Sequence, residues 1–202
     1  MTRIKLCGMM GPDDIQAANA IKPDYVGYVL APGRKRTITA YEAAGFTDML
    51  AAEISPVGVF VNEEAENVAG LLNTGVIRIA QLHGDEDEEY IRHLRSLTKG
   101  EIWKAFCIRS EEDIQKAEDS TADLVLLDSG TGTGRAFNWE LIGNMKRPYL
   151  LAGGLSPDNV EEALHFLHPY GVDVSSGIER DGRKDPDKMA AFAAAVRKDG
   201  NR

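Results

Sequence analysis

Residues 149–179 read YLLAGGLSPDNVEEALHFLHPYGVDVSSGIE, and the reading of this stretch decides the fold. A short apolar run, YLLA, ends in the glycine pair Gly153 and Gly154. The stretch SPDNVEEALHFL follows with helical spacing, and Ser156 stands where a helix-start residue can cap exposed amides. A second short run, GVDV, ends in Ser175, Ser176 and Gly177. Strand, glycine turn, helix, strand and turn in this order read as a parallel βαβ unit. Working back toward the N-terminus, the alternation continues. RIKLCG, YVGYVL, PVGVFV, VIRIAQLH, EIWKAF and DLVLLD are further short, β-branched runs, and amphipathic stretches separate them. Asp13, Thr39 and Ser110 are further candidate helix caps. SGTGTGRAFNWELIGNMKR, between the sixth and seventh runs, leaves room for a long loop and a brief helix.

About eight strand–helix units is the number that closes a parallel barrel, so the expected fold is a compact α/β (β/α)8 TIM barrel. The chain has 202 residues, against roughly 250 typical of that architecture. No linker or repeat divides it, and residues 1–202 read as one domain. An open doubly wound sheet is the competing architecture. It needs fewer strands and usually a GxGxxG turn after the first, and CGMMGPDD lacks that spacing.

Composition narrows the function. A net charge of -9 argues against a nucleic-acid partner, which would need a basic face. No stretch is long enough to span a membrane. Arg3 and Lys5 interrupt the first apolar run, which argues against a signal peptide. Cys7 and Cys107 are far apart with no CxxC pattern, as expected of free thiols in a cytoplasmic protein. His83, His93, His165 and His168 have no HExxH-type spacing, so no metal is expected.

In a parallel barrel the chemistry sits at the carboxyl ends of the strands. The turns at Gly153–Gly154 and at Ser175, Ser176 and Gly177 follow the last two strands, where barrels commonly bind phosphate with backbone amides and helix N-termini. Alone, either is a simple connection; together they point to phosphate. Asp128 ends the unbroken apolar run LVLL, and a carboxylate there is hydrogen-bonded, solvated or functional. The following loop carries Gly130, Gly132 and Gly134, a composition that suits a lid.

Cys7 shares that end of the barrel. A thiol with its ordinary pKa near 8.5 is only partly ionised at neutral pH, so the residue is either a buried hydrophobe or an activated base. Cys107, after the fifth strand, reads as core or near-core. Arg36 in PGRKRTIT suits a planar carboxylate; Arg34 and Lys35 beside it read as a solvated loop. Gln81 and His83 alternate on one face of the fourth strand, and either orient a substrate or satisfy each other. Asp173 shares a face with Ser175 and points inward. Lys5 shares the face of Cys7, where an interior carboxylate would pair with it.

The series IKLCGM, VGYVLAPGRKR, PVGVFVNEE, IAQLHGDE, LAGGLSPDNV, DVSSGIE and GRKDPDKMAAF, in this order and spacing, resembles the phosphoribosylanthranilate isomerases over nearly the whole chain. The resemblance implies a (β/α) barrel without a cofactor and a small phosphosugar substrate. It also implies an Amadori rearrangement of N-(5-phosphoribosyl)anthranilate in tryptophan biosynthesis. It casts Cys7 as general base, Asp128 as general acid and Arg36 as holder of the anthranilate carboxylate. Gln81, His83 and Asp173 stand as substrate contacts, and the two glycine turns as the phosphate site. The chain departs from the family pattern at Met10, where a Thr is usual. The expected assembly is a monomer or a homodimer. A phosphosugar-binding barrel without catalysis is the non-enzyme alternative. A lyase like indole-glycerol-phosphate synthase would need a lysine acid at the mouth, and only Lys5 and Lys104 are near.

Overall fold

The computed structural model describes residues 1–128, 139–143 and 145–199. The glycine-rich loop with Gly130, Gly132 and Gly134 lies outside the described residues. Eight parallel strands close a barrel in chain order: β1 (Arg3–Cys7), β2 (Tyr25–Val29), β3 (Ser55–Phe60), β4 (Ile79–Leu82), β5 (Glu101–Cys107), β6 (Leu124–Asp128), β7 (Tyr149–Ala152) and β8 (Gly171–Val174). Each coincides with one of the eight predicted runs, β3 starting one residue before its run at Ser55 and β5 ending one residue after its run at Cys107. Strand β8 pairs back onto β1, with Lys5 opposite Asp173. The helices are α1 (Pro12–Ile21), α2 (Ala40–Met49), α3 (Ala65–Asn73), α4 (Glu88–Leu97), α5 (Glu111–Asp119), α6 (Trp139–Ile142), α7 (Val160–Leu167) and α8 (Pro186–Asp199). The four-residue α6 is the brief helix expected there.

Because successive side chains of a strand point to opposite faces, each strand contributes to two cores. Outward residues such as Ile4, Leu6, Val26, Phe60, Leu82 and Val125 pack with Ile15, Phe46, Val68, Ile91 and Phe192 of the helices. Inward residues Val57, Ile79, Trp103, Leu124, Leu126 and Leu150 form a separate cluster inside the barrel. Trp103 is its largest member, fully buried and edge-on to Tyr25 with ring centres 4.9 Å apart. This cluster is the barrel's floor.

Helix starts divide the predicted caps. The Thr39 hydroxyl accepts from the Glu42 amide, and the Ser110 hydroxyl accepts from that of Asp113. Both are full capping boxes. Asp13 and Ser156 are not caps. Helix α1 starts after Gly11, with Asp13 already inside its first turn. Helix α7 starts only at Val160, because Asn159 folds the preceding segment into a turn: its Oδ1 accepts from the Ser156 amide and its Nδ2 donates to the Gly154 carbonyl. Helix α2 ends at Met49, short of Leu50–Ile54. Asn19 of α1 ends it, donating to the Met49 carbonyl and accepting from the Ala51 amide.

Candidate active site

At the carboxyl ends of the strands the interior turns polar around a cavity of about 310 Å³. Every predicted site residue except Gly177 lines it. Cys7 and Asp128 enter from β1 and β6, which β7 and β8 separate on one side of the ring.

Cys7 is the last residue of β1 and is buried. Its neighbour across the ladder is Gly27. A Cβ at Gly27 would stand 2.6 Å from the Cys7 sulfur, so a glycine in the middle of a strand is what gives the thiol its place. The Ser175 hydroxyl donates to the Cys7 carbonyl at 3.1 Å, which ties β1 to the turn after β8. Met10 packs against the core, and its amide donates to Asp14 at 2.8 Å. The first loop is thus anchored by Asp14. Below the thiol, on the same inward face, Lys5 is fully buried and bonds Asp173 at 2.9 Å. This is the interior carboxylate that the sequence required. Burial pushes the Cys7 thiol above the ordinary thiol range, and Lys5 opposes that shift.

On the other side, Gln81 Nε2 lies 3.0 Å from His83 Nδ1, and His83 Nε2 lies 3.4 Å from the Asp128 carboxylate. With the Gln81 amide in this orientation, Nδ1 accepts and Nε2 carries the hydrogen toward Asp128. Gln81 and His83 therefore bond each other, as one of the two readings of the sequence had it, and both line the cavity. Gln81 Oε1 remains buried with no hydrogen-bond partner among the described residues. Cys107 is not core. It is the last residue of the seven-residue β5, opposite Asp128 in register, and stands exposed above the packed interior.

Arg36 reaches the cavity but is already engaged. Its Nε and Nη2 grip the two oxygens of Glu179, the latter at 2.9 Å. Lys184 also binds Glu179, at 3.0 Å, and donates to the Ser175 carbonyl at 2.9 Å. Glu179 and Lys184 belong to a small antiparallel hairpin, β9 (Glu179–Arg180) and β10 (Arg183–Lys184). Burial works against the Glu179 charge, but the hydrogen bonds from Arg36 and Lys184 outweigh it and bring its pKa down to about 2. Burial lowers that of Lys184. The sequence reading missed this clasp. The segment ERDGRK carries a turn-forming DG between two opposite-charge ends, the one local signal for a hairpin there.

Gly153 and Gly154 adopt φ of 90° and 66°, the left-handed region open to glycine. After β8 comes a single short 3-10 turn, Ser176–Ile178. A Cβ on Gly177 would collide with the Leu155 carbonyl, so this residue locks the two turns together from behind the cavity. The two lysines a lyase reading needs are both committed elsewhere. Lys104 points out of the barrel, bonding Glu86 at 2.9 Å and the Gly84 carbonyl at 2.7 Å, and Lys5 lies beneath the thiol with Asp173.

Comparison with known proteins agrees with this geometry. Residues 4–195 match the family model described as N-(5'phosphoribosyl)anthranilate (PRA) isomerase. A relative of that name from Thermoanaerobacter sp. (strain X514) is 42% identical over 204 residues, 98% of each chain. The crystal structure of phosphoribosyl anthranilate isomerase from Thermotoga maritima superposes with a TM-score of 0.90 at 33% identity, covering 98% of this chain and 100% of the other. A second isomerase structure is a complex with reduced 1-(o-carboxyphenylamino)-1-deoxyribulose 5-phosphate. It has a TM-score of 0.87 at 33% identity, with coverage of 98% and 100%.

Proposed function

The chain belongs to the N-(5'-phosphoribosyl)anthranilate isomerase family, and from that premise we infer that Cys7 and Asp128 are the base and the acid of its reaction. The activity is the isomerisation of N-(5'-phosphoribosyl)anthranilate in tryptophan biosynthesis. The observation that carries the residue assignment is the placement of one thiol and one carboxyl in a single cavity, entering from different strands, beside two adjoining glycine turns.

The reaction starts with the ring closed. Asp128 gives a proton to the ring oxygen, the C1'–O bond breaks, and the nitrogen lone pair forms a C1'=N iminium. The Cys7 thiolate takes the proton from C2'. The electron pair of that C–H bond becomes the C1'=C2' bond and neutralises the nitrogen. The enolamine then tautomerises to the ketone. Acid and base approach the sugar from different sides, which the barrel mouth permits. The positive iminium favours the thiolate at the moment it is needed.

The turns at Gly153–Gly154 and Ser175–Ser176 hold the phosphate, and Gly177 keeps them packed. Arg36, steadied by Glu179, presents its remaining edge to the anthranilate carboxylate. Gln81 Oε1 accepts from a sugar hydroxyl and so loses its unpaired state, while His83 orients Asp128. Asp173 acts from below through Lys5. The enzyme works in the cytoplasm, a reading supported by two unpaired cysteines; among the described residues no helix is long and apolar enough to cross a membrane.

The test follows anthranilate fluorescence with freshly made phosphoribosylanthranilate. The native chain extinguishes the emission quickly, and Cys7→Ala and Asp128→Asn do not. Near-native turnover in either variant removes that residue from the mechanism.

A further inference from the structure

The interior of the barrel is apolar below the mouth except at one place. Beneath Cys7, β1 carries Lys5, with no exposed surface at all. A buried ion pair contributes little net stability, and apolar residues of the same volume often do as well. Apart from its partner Asp173, the inward cluster packed inside the barrel is apolar and includes Val57, Ile79, Trp103, Leu126 and Leu150. A lysine here is therefore not explained by packing.

We propose that Lys5 is a positioning residue for the proton-abstracting thiolate: its buried ammonium supplies positive charge that offsets the cost of ionising the buried Cys7, and Asp173 fixes the ammonium in place. The inference rests on the reading of Cys7 as base. Three features of the structure carry it. Lys5 and Cys7 are two apart on the same inward face of β1, so the lysine stem runs under the thiol. Asp173 is Lys5's register partner on β8 and bonds its Nζ at 2.9 Å, which anchors the head group across the seam. Gly27 leaves the sulfur a fixed slot beside β2.

Other charges also surround the cavity. Arg36 from the loop after β2 lines the cavity and Lys184 from β10 lies behind it; both are bound to Glu179, and Lys184 also favours the thiolate, less strongly than Lys5. His83 after β4 and Asp128 on β6 stand 3.4 Å apart on the opposite wall. Lys5 and Asp173 act on Cys7 in opposite directions, and Lys5 is the stronger of the two.

That opposition makes the test directional. In a Cys107→Ser background only Cys7 reports, and its alkylation by the uncharged reagent iodoacetamide is followed against pH by mass spectrometry. The reactivity midpoint of Lys5→Met moves up by about one pH unit or more. That of Asp173→Asn moves down, and Lys5→Met combined with Asp173→Asn falls between Lys5→Met and the native chain. An unchanged midpoint in Lys5→Met, or shifts of the same sign in both single variants, overturns the proposal. If Lys5→Met leaves Asp173 unpaired and fails to fold, the double variant decides alone: a midpoint above native upholds the proposal, and a native midpoint overturns it. The titration needs no substrate. Retained turnover in Cys7→Ala therefore sinks the base reading separately, with the Lys5 effect on the thiol still measured.

Discussion

The floor and the mouth of this barrel are made by the same strands, at positions two residues apart. On β6 the inward side chains run Leu124, Leu126, then Asp128; on β7, Leu150 and Ala152 are followed by the glycine pair. On β4, Ile79 is followed by Gln81 and then His83. The strand's alternation decides which residues point inward, and height along the barrel axis decides whether they pack or react. The exception is β1, where the charged residue, Lys5, lies below the reactive one. There the chemistry reaches down into the floor.

This contrast can be broken by experiment, and its two ends should fail in different ways. The largest effect belongs to the mouth. Cys7→Ala should lower turnover roughly a thousandfold, within the range of about 10^2–10^4 for a lost acid–base group, and leave the melting temperature nearly unchanged. A large loss of stability in that variant would merge mouth with floor. Trp103→Ala should do the reverse. Removing the largest floor side chain should cost about 3–5 kcal/mol in denaturant unfolding, with turnover preserved wherever the protein stays folded.

Next comes Arg36→Ala. Losing a charged hydrogen-bond donor to the substrate carboxylate is worth about 1.5–3 kcal/mol, read as a KM raised roughly ten- to a hundredfold with a smaller change in kcat. The smallest effect sharpens the contrast, because it gives a mouth residue a share in stability. Glu179 has a pKa of about 2 in the folded chain, against about 4.3 for an ordinary Glu. A lowered folded pKa means stability that is present above the unfolded value and lost as pH falls through the folded one. Native and Glu179→Gln proteins should thus differ in unfolding free energy at pH 5 and converge near pH 2.

Much of this was legible in the residues. The eight strands show because each is a short, largely buried apolar run, and runs of that kind need no partner information to be recognised. Cys7, Asp128 and the two glycine turns show because each ends such a run. What escaped depends on contacts distant in the chain. Glu179 and Lys184 sit in a polar hairpin whose meaning comes from Arg36, well over a hundred residues away. Gly27 reads as an ordinary glycine until the sulfur of Cys7 is beside it. Asp13 and Ser156 have the chemistry of caps, but a helix begins where its backbone turns, and Gly11 and Asn159 set that point. Cys107 misled because β5 runs longer than its neighbours and lifts its last residue above the packing.

The seam between β1 and β8 has a consequence for how the molecule comes into being. Lys5 with Asp173, Ser175 with Cys7 and Arg36 with Glu179 all join the first fifth of the chain to its last. Contacts of such long sequence separation close large loops and form late in folding. A nascent chain on the ribosome, with its C-terminal strands not yet made, therefore has its cysteine but not its catalyst. Activity appears only when the ring is complete, and it serves as a direct report that the last strand has found the first.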